Sequence, residues 1–371
     1  MRKAFKFKLY TSKKNKYLDK RISISGVIYN HCIALHKRYF KLTGKYINPY
    51  KLKTHIAKLK KLKKFEFFKL VPSQAIQDIV ERIDRAYKLF FKFLKDKSSG
   101  LRFAPPSFKK VKKYKSFTLK QAGYKLLGGN QIKIGDKIFK FSKSRDILGT
   151  IKTVTVKRDT LGDFYLIFSC DNVSSHPKPM TGKSAGFDFG LKTFLTSSDE
   201  SADVVSPQVF ASSLKQIRKA SKSVSSKKRG SHNRKKAVLN LARVHKSVAN
   251  KRKDFHFKLA NSLVSQYDFL FFEDLNISGM KKLWGRKVSD LGFSDFISIL
   301  ENKCDEFGKT FKTIGRFFPS SKLCNVCGCI NESMGFKDLS NREWDCPSCS
   351  AHLHRDRNAA KNILEEGVRR L

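Results

Sequence analysis

The chain has 371 residues, with 78 Lys and Arg against 31 Asp and Glu, for a formal net charge of +47. That length admits two or three domains with real cores, and that charge far exceeds what solubility needs and calls for a polyanionic partner. No apolar run is long enough to span a bilayer, and charges interrupt the opening MRKAFKFKLY, so neither a membrane span nor a secretory signal is expected and the setting is cytoplasmic.

Residues 1–12 predict a strand in which Phe5, Phe7 and Leu9 alternate with lysines such as Lys8. Such interleaving equally suits stacking on bases beside phosphate contacts. From about 16 to 97 the period turns helical. Leu35, Tyr39 and Leu42 recur before Gly44, and Leu52, Ile56, Leu59 and Leu62 recur on a basic background. The clearest helix starts near Pro72 and Ser73. Its core stripe is Ile76, Ile79, Val80, Ile83, Tyr87, Phe90 and Leu94, and Gly100 follows its end. The opposite face carries Gln77, Asp78, Arg82 and Arg85, with Gln74 in the first turn, and reads as solvated, although glutamines can also read base edges.

Residues 101–180 break into short pieces at Pro105-Pro106, Gly128-Gly129 and Gly149. Residues 132–141 and 151–156 predict strands, 158–163 a hairpin loop and 164–170 its return strand. The region reads as a small β-barrel completed by the first strand, with the helices as an insertion. Residues 172–183 read as a linker.

Ser184 to Leu195, SAGFDFGLKTFL, is an apolar run with one carboxylate, Asp188, between Gly186 and Gly190. Burying an unpaired Asp costs several kcal/mol or forces a neutral acid. A metal ion removes that penalty, and flanking glycines would let a phosphate backbone approach. The plainer alternative is a strand-edge Asp closing a turn with Gly190. From Leu214 to Lys253 there is no Asp or Glu, and the apolar stripe Leu239, Leu241, Val244, Val248 and Phe255 predicts a long basic helical hairpin suited to phosphate contact. Residues 268–272 then predict a buried strand ending at Glu273-Asp274. Two such strands can set their acids side by side where a divalent cation bridges them.

There are eight Cys, and four of them form Cys324-x-x-Cys327 and Cys346-x-x-Cys349, eighteen residues apart. Without a secretion signal this is a four-thiolate zinc ribbon rather than disulfides, and it is structural because no coordination position stays open. Cys329, just past Gly328, reads as a bystander. Asp356 lies near the start of a helix through Asn358-Ala359-Ala360-Lys361-Asn362.

Taken together, AGFDFGLKTF, VANKRKDFHFKLA, FFEDLNISGM, FFPSSKLCNVCG, CPSC and RDRNAAKNIL resemble the TnpB family, RNA-guided nucleases of insertion sequences related to compact type V CRISPR effectors. The resemblance runs nearly the full length. It implies a multidomain α/β plus β-barrel chain: a wedge β-barrel at 1–15 and 101–180, a helical recognition domain at 16–100, and an RNase H-like (RuvC) core at 181–322 and 351–371 with the four-cysteine zinc ribbon at 323–350. It implies Asp188, Glu273 and Asp356 as ligands of two Mg²⁺ ions roughly 4 Å apart. It further implies a guide RNA from the transposon end and a double-stranded DNA target whose adjacent motif is read by the N-terminal half; a monomer is expected over a dimer. Two positions depart from the family pattern. His354 and Leu353 stand where Asp preceded by His is usual, and Ser350 where Gly is common. Two other functions fit the composition: a zinc-stabilised regulator that binds nucleic acid without cutting, and a transposase that joins strands itself. The presence of all three carboxylates disfavours the first, and the ribbon just ahead of the third disfavours the second.

Overall fold

The structure is a computed structural model describing residues 1–97, 102–199, 203–333 and 341–371; Gly100 and residues 334–340 of the expected ribbon lie outside them. The chain divides into two units, residues 1–174 and 175–371.

In the first unit, β1 (Lys3–Lys8) leads into three helices, α1 (Asn15–Thr43), α2 (Pro49–Leu59) and α3 (Ser73–Lys95), followed by β2 (Ser116–Leu119), β3 (Tyr124–Leu126), β4 (Gln131–Ile134), β5 (Lys137–Lys140), β6 (Thr150–Arg158) and β7 (Phe164–Asp171). The strands form a four-stranded antiparallel sheet, β1-β7-β6-β2, and a three-stranded antiparallel sheet, β3-β4-β5, linked by a bridge from Leu9 to Phe141. Phe5 and Phe7 are buried on one face of β1, so this pattern is an amphipathic strand and not a stacking surface.

The helices start and stop where local chemistry dictates. Asn48 caps α2 by accepting the Tyr50 N–H at 2.8 Å, with Pro49 in the first turn. α1 ends at Gly44, whose φ of 64° places it in the left-handed region. Several sequence expectations shift. Leu42 is 74% exposed and Leu62 54%; the buried face of α1 is instead Leu18, Ile22, Tyr29, Ile33 and His36. The stripe of α3 is buried from Ile76 to Ile83 and emerges at Leu94. Its expected solvated face is packed in part: Asp78 is buried and paired with Arg82 at 2.6 Å, and Arg82 bonds Thr118 on β2, while Arg85 is exposed as expected. Residues 132–141 are a hairpin and not one strand, because Gly135, at φ 62°, turns the chain between β4 and β5.

The second unit contains β8 (Ser184–Phe189), β9 (Thr193–Ser197), β10 (Val204–Val205), α4 (Val209–Ser225), α5 (His232–Gln266), β11 (Phe269–Glu273), α6 (Ile277–Trp284), α7 (Arg286–Leu291), α8 (Phe293–Phe307), β12 (Thr310–Ile314), β13 (Glu343–Asp345), β14 (His352–His354) and α9 (Arg355–Arg369). Its main sheet runs β10-β9-β8-β11-β12. The pairs on the β9 side of β8 are antiparallel, and those on the β11 side are parallel.

β11 is apolar without alternation because both faces are covered. Leu270 and Phe272 pack with Leu263 of α5 and Phe296 of α8, while Phe271 packs with Ile363 of α9. α4 and α5 form the expected hairpin, closed by Val209, Ile217, Val244 and Val248, and Ser231 caps α5 through the Arg234 N–H at 3.1 Å. The expected linker is tied down over its second half. Asp268 and Lys309 form a buried pair at 2.5 Å, Lys309 also donates to the Pro179 carbonyl, and the Thr181 and Gly182 N–H groups donate to Asp268. No helix among the described residues is long and apolar enough to cross a membrane.

Candidate metal centres of the second unit

Three acids meet at one end of the main sheet. Asp188 lies one residue past Phe187, which pairs with Phe272, and Glu273 lies one residue past Phe272; both therefore leave the parallel pair at the same edge. Asp356 arrives from the first turn of α9, which lies against β8. Gly186 explains how it comes so close. A Cβ there would stand 2.3 Å from the Ala360 carbonyl and 2.5 Å from the Leu364 nitrogen. A Cβ at Gly190 would meet the Thr193 carbonyl at 2.5 Å. Both glycines thus serve internal packing, one under a helix and one in the turn to β9, which corrects the expectation that they admit a phosphate backbone.

The electrostatics place two anions near Asp188. Burial, then the nearby charges of Asp356 and Glu273, push the Asp188 carboxyl well above its usual range. Burial, then neighbouring Asp274, pushes Glu273 up to about 7. Arg316 draws Asp274 aside, 2.7 Å from its Oδ2, which separates the roles of the adjacent acids. Asp356 accepts Arg342 Nη1 at 2.7 and 2.5 Å. Hard carboxylate oxygens with raised proton affinity are what a divalent ion relieves, so the donor set fits Mg²⁺. The acids are nevertheless less tightly gathered than the thiols. Among the described residues the four cysteines are the one group of three or more His, Cys, Asp or Glu close enough to hold an ion.

Those four sulfurs lie within 4.8 Å of one another, with Cys324 Sγ 3.7 Å from Cys349 Sγ and Cys327 Sγ 3.5 Å from Cys346 Sγ. A tetrahedron with zinc–sulfur bonds of about 2.3 Å has edges of about 3.8 Å, so the residues fit zinc. The N–H groups of Cys349 and Ser348 pull the Cys346 thiol down to about 6. The two knuckles repeat one backbone pattern. Gly328 N–H donates to Cys324 O and Cys324 N–H to Cys329 O; Ser350 N–H donates to Cys346 O and Cys346 N–H to Ala351 O. Gly328 has φ 74° and Ser350 φ 59°, so Ser350 adopts a left-handed conformation that glycine takes freely. Cys329 lies outside the thiol group.

His354, where the family pattern has an acid, caps α9 by accepting the Arg357 N–H at 3.4 Å. Asn358 and Asn362 face the first knuckle: Asn358 bonds Asn325 N–H and Leu323 O, and Asn362 bonds Leu323 O and Ser320 O. Sequence reasoning used these asparagines only as helix formers. Their spacing of four, which sets both on one face of the helix, was the available signal. Arg342 carried none, because its reach to Asp356 depends on the pairing of Glu343 with His354 across β13 and β14.

Residues 156–283 match the OrfB_IS605 family, described as "Probable transposase", and residues 293–363 match "Cas12f1-like, TNB domain". A Streptomyces pristinaespiralis protein named "Putative RNA-guided DNA endonuclease" is 29% identical over 375 residues, 99% of this chain and 90% of its own length. The Escherichia coli K12 protein "Putative RNA-guided DNA endonuclease InsQ" is 26% identical over 381 residues, 98% of this chain and 92% of that one. "TnpB-like protein L770" of Acanthamoeba polyphaga mimivirus is 28% identical over 246 residues, 62% of this chain and 46% of that one. In fold, the chain is similar to Cas12f1 in a complex with guide RNA and target DNA, with a TM-score of 0.59, 15% identity and coverage of 95% of this chain and 83% of that one. It is also similar to the mini-RNA-guided endonuclease CRISPR-Cas_phi3, with a TM-score of 0.53, 9% identity and coverage of 99% and 92%. With a transposase-type segment followed in order by a Cas12f1-like segment, relatives aligned from end to end and a mixed α/β fold shared with the compact effectors, this chain resembles the TnpB family.

Proposed function

We propose that the protein is an RNA-guided DNA endonuclease of an insertion sequence, cutting double-stranded DNA beside a short adjacent motif by metal-dependent phosphodiester hydrolysis. The observation that carries the reading is the convergence of Asp188, Glu273 and Asp356 at one edge of the β8–β11 pair, close enough for Asp356 and Glu273 to raise the proton affinity of Asp188. On this reading, the main sheet of the second unit with α9 is a RuvC-type, RNase H-like core, and the four thiolates hold a structural zinc. In the first unit, the sheets are a wedge barrel and α1–α3 the recognition insertion, and that unit reads the adjacent motif.

Mg²⁺ at the three acids would supply an activated water and stabilise the leaving oxygen. The protein's own groups prepare that chemistry. Asp188, on the strand between β9 and β11, is held by the sheet itself. Arg316 keeps Asp274 turned away, leaving Glu273 as the acid on offer. Arg342 orients the Asp356 carboxylate from the ribbon side. The acid-free stretch from Leu214 to Lys253, within the hairpin of α4 and α5, offers its lysines and arginines to phosphates, so that base pairing of a guide RNA from the transposon end selects the target. The names of the relatives and the guide RNA and target DNA of the Cas12f1 complex support these partners. The active form is a monomer acting in the cytoplasm.

The test is cleavage of a guide-matched duplex by protein purified with its own RNA. Asp188→Ala should lose cutting while retaining RNA and DNA binding. Cutting at the wild-type rate by that variant would sink the assignment of the site, and specific binding without cutting by the wild type would favour a regulator.

A further inference from the structure

We propose that Asn358 and Asn362 are positioning residues that fasten the first thiolate knuckle to the helix bearing Asp356, so that zinc occupancy sets the geometry of the carboxylate site. The inference deepens the nuclease reading, since it takes Asp356 as a ligand of the catalytic ion.

The side-chain amide of Asn358 grips the backbone on both sides of Cys324. Its Oδ1 accepts the Asn325 N–H at 2.9 Å, and its Nδ2 donates to the Leu323 carbonyl at 2.7 Å. One turn further on, Asn362 Nδ2 donates to the Leu323 carbonyl at 2.6 Å and to the Ser320 carbonyl at 2.8 Å. Asn325 Nδ2 answers by donating to Glu365 Oε1 at 2.6 Å. Asn358 and Asn362 are 2% and 1% exposed, on a helix face completed by Ala359 and Ile363.

Asparagine is a poor helix former, and a buried amide loses its hydration in full unless it is paired. Two of them in the interior of α9 are stable because they satisfy a stretch of chain, residues 320–325, that runs along the helix outside any sheet. The grip falls on the backbone flanking a zinc ligand, two residues from Asp356.

The second knuckle holds the same helix by another route. β14 ends at His354 and α9 begins at Arg355, so no loop separates the ribbon hairpin from the first turn of α9. The first turn is thus held by one knuckle through the chain and by the other through Asn358. Sulfurs of the two knuckles face each other at 3.7 and 3.5 Å, and a zinc ion held by all four would lock the two holds together. Partners one step behind a metal's own ligands commonly change its affinity when altered.

Hydrogen exchange over residues 355–362 and Mn²⁺ binding followed by electron paramagnetic resonance test this on the full chain. In the zinc-loaded wild type the first turns of α9 should exchange slowly. Chelation of zinc, or Cys324→Ser, should speed that exchange and weaken Mn²⁺ binding by roughly 10- to 100-fold. Asn358→Ala leaves all four thiolates in place and should reproduce both effects at full zinc content, which a merely structural loss of stability would not do. Wild-type exchange and Mn²⁺ affinity in zinc-loaded Asn358→Ala would overturn the proposal. If that variant does not fold, Asn362→Ala is judged by the same two readings. The two hypotheses fail separately. A wild type that takes up no Mn²⁺ but shows the zinc-dependent exchange refutes the nuclease reading and upholds the clamp, while normal Mn²⁺ uptake with exchange indifferent to zinc does the reverse.

Discussion

Glu273 keeps its proton to about 7, against an ordinary value of 4.5, because burial and Asp274 oppose its charge. Without a divalent ion the folded state therefore holds one more proton than the unfolded chain between those values. The stabilisation this gives is complete below about pH 4.5 and is lost as pH rises through about 7. In chelated protein, Glu273→Gln should match the wild type near pH 4.5 and exceed it at pH 8 by up to about 3 kcal/mol, read as a widening gap in melting temperature. An unchanging gap across that range would place the strain elsewhere. Ser350 offers a second test. It sits at φ 59° in the position that Gly328 fills in the other knuckle. Ser350→Gly should raise stability by about 1 kcal/mol with zinc content unchanged, measured by denaturant melts. At this scale the sequence was most readable for the thiols, because CxxC spacing is itself a coordination geometry. It was least readable for Arg342 and for the partner of Asp268, because contacts such as Lys309 to Asp268 depend on strand register.

Elements were legible wherever an apolar period was unbroken. β1, β7, β11 and the α4–α5 hairpin lie where alternation, continuous burial and helical spacing put them. The departures fall in basic amphipathic stretches, where long aliphatic or charged side chains can face either way. The spacing of Leu42 and Leu62 predicts core and both are exposed, while Asp78, expected in solvent, is buried against Arg82. The turn of the α4–α5 hairpin makes a prediction of its own. Lys227, Lys228 and Arg229 lie at the tip between Ser225 and His232, in a segment with no acid to pair with. Changing all three to Ala should weaken nucleic-acid binding without regard to sequence. The slope of log affinity against log salt should shrink by about one unit for each phosphate that is no longer neutralised. A salt titration showing the wild-type slope would mean the tip does not touch the backbone.

At the scale of the molecule, each unit closes a core of its own, one built on the sheets and helices of residues 1–174 and the other on the main sheet of residues 175–371. Residues 175–371 expressed alone with zinc should therefore melt cooperatively and retain one zinc per chain; a non-cooperative melt would show that this core is incomplete. The order of motifs along the sequence predicts a wedge barrel, a recognition domain, a nuclease core and a ribbon, but not the fastening of α9. Gly186 and Gly367 let that helix lie on β8 and β11 at a separation no side chain permits, since a Cβ at Gly367 would stand 2.3 Å from the Phe271 ring. One methyl group at either position would lever the helix, and Asp356 with it, away from Asp188. On the proposed reading, a relative so altered would fall silent as a nuclease with all three acids intact, and an inventory of its carboxylates alone would misjudge it.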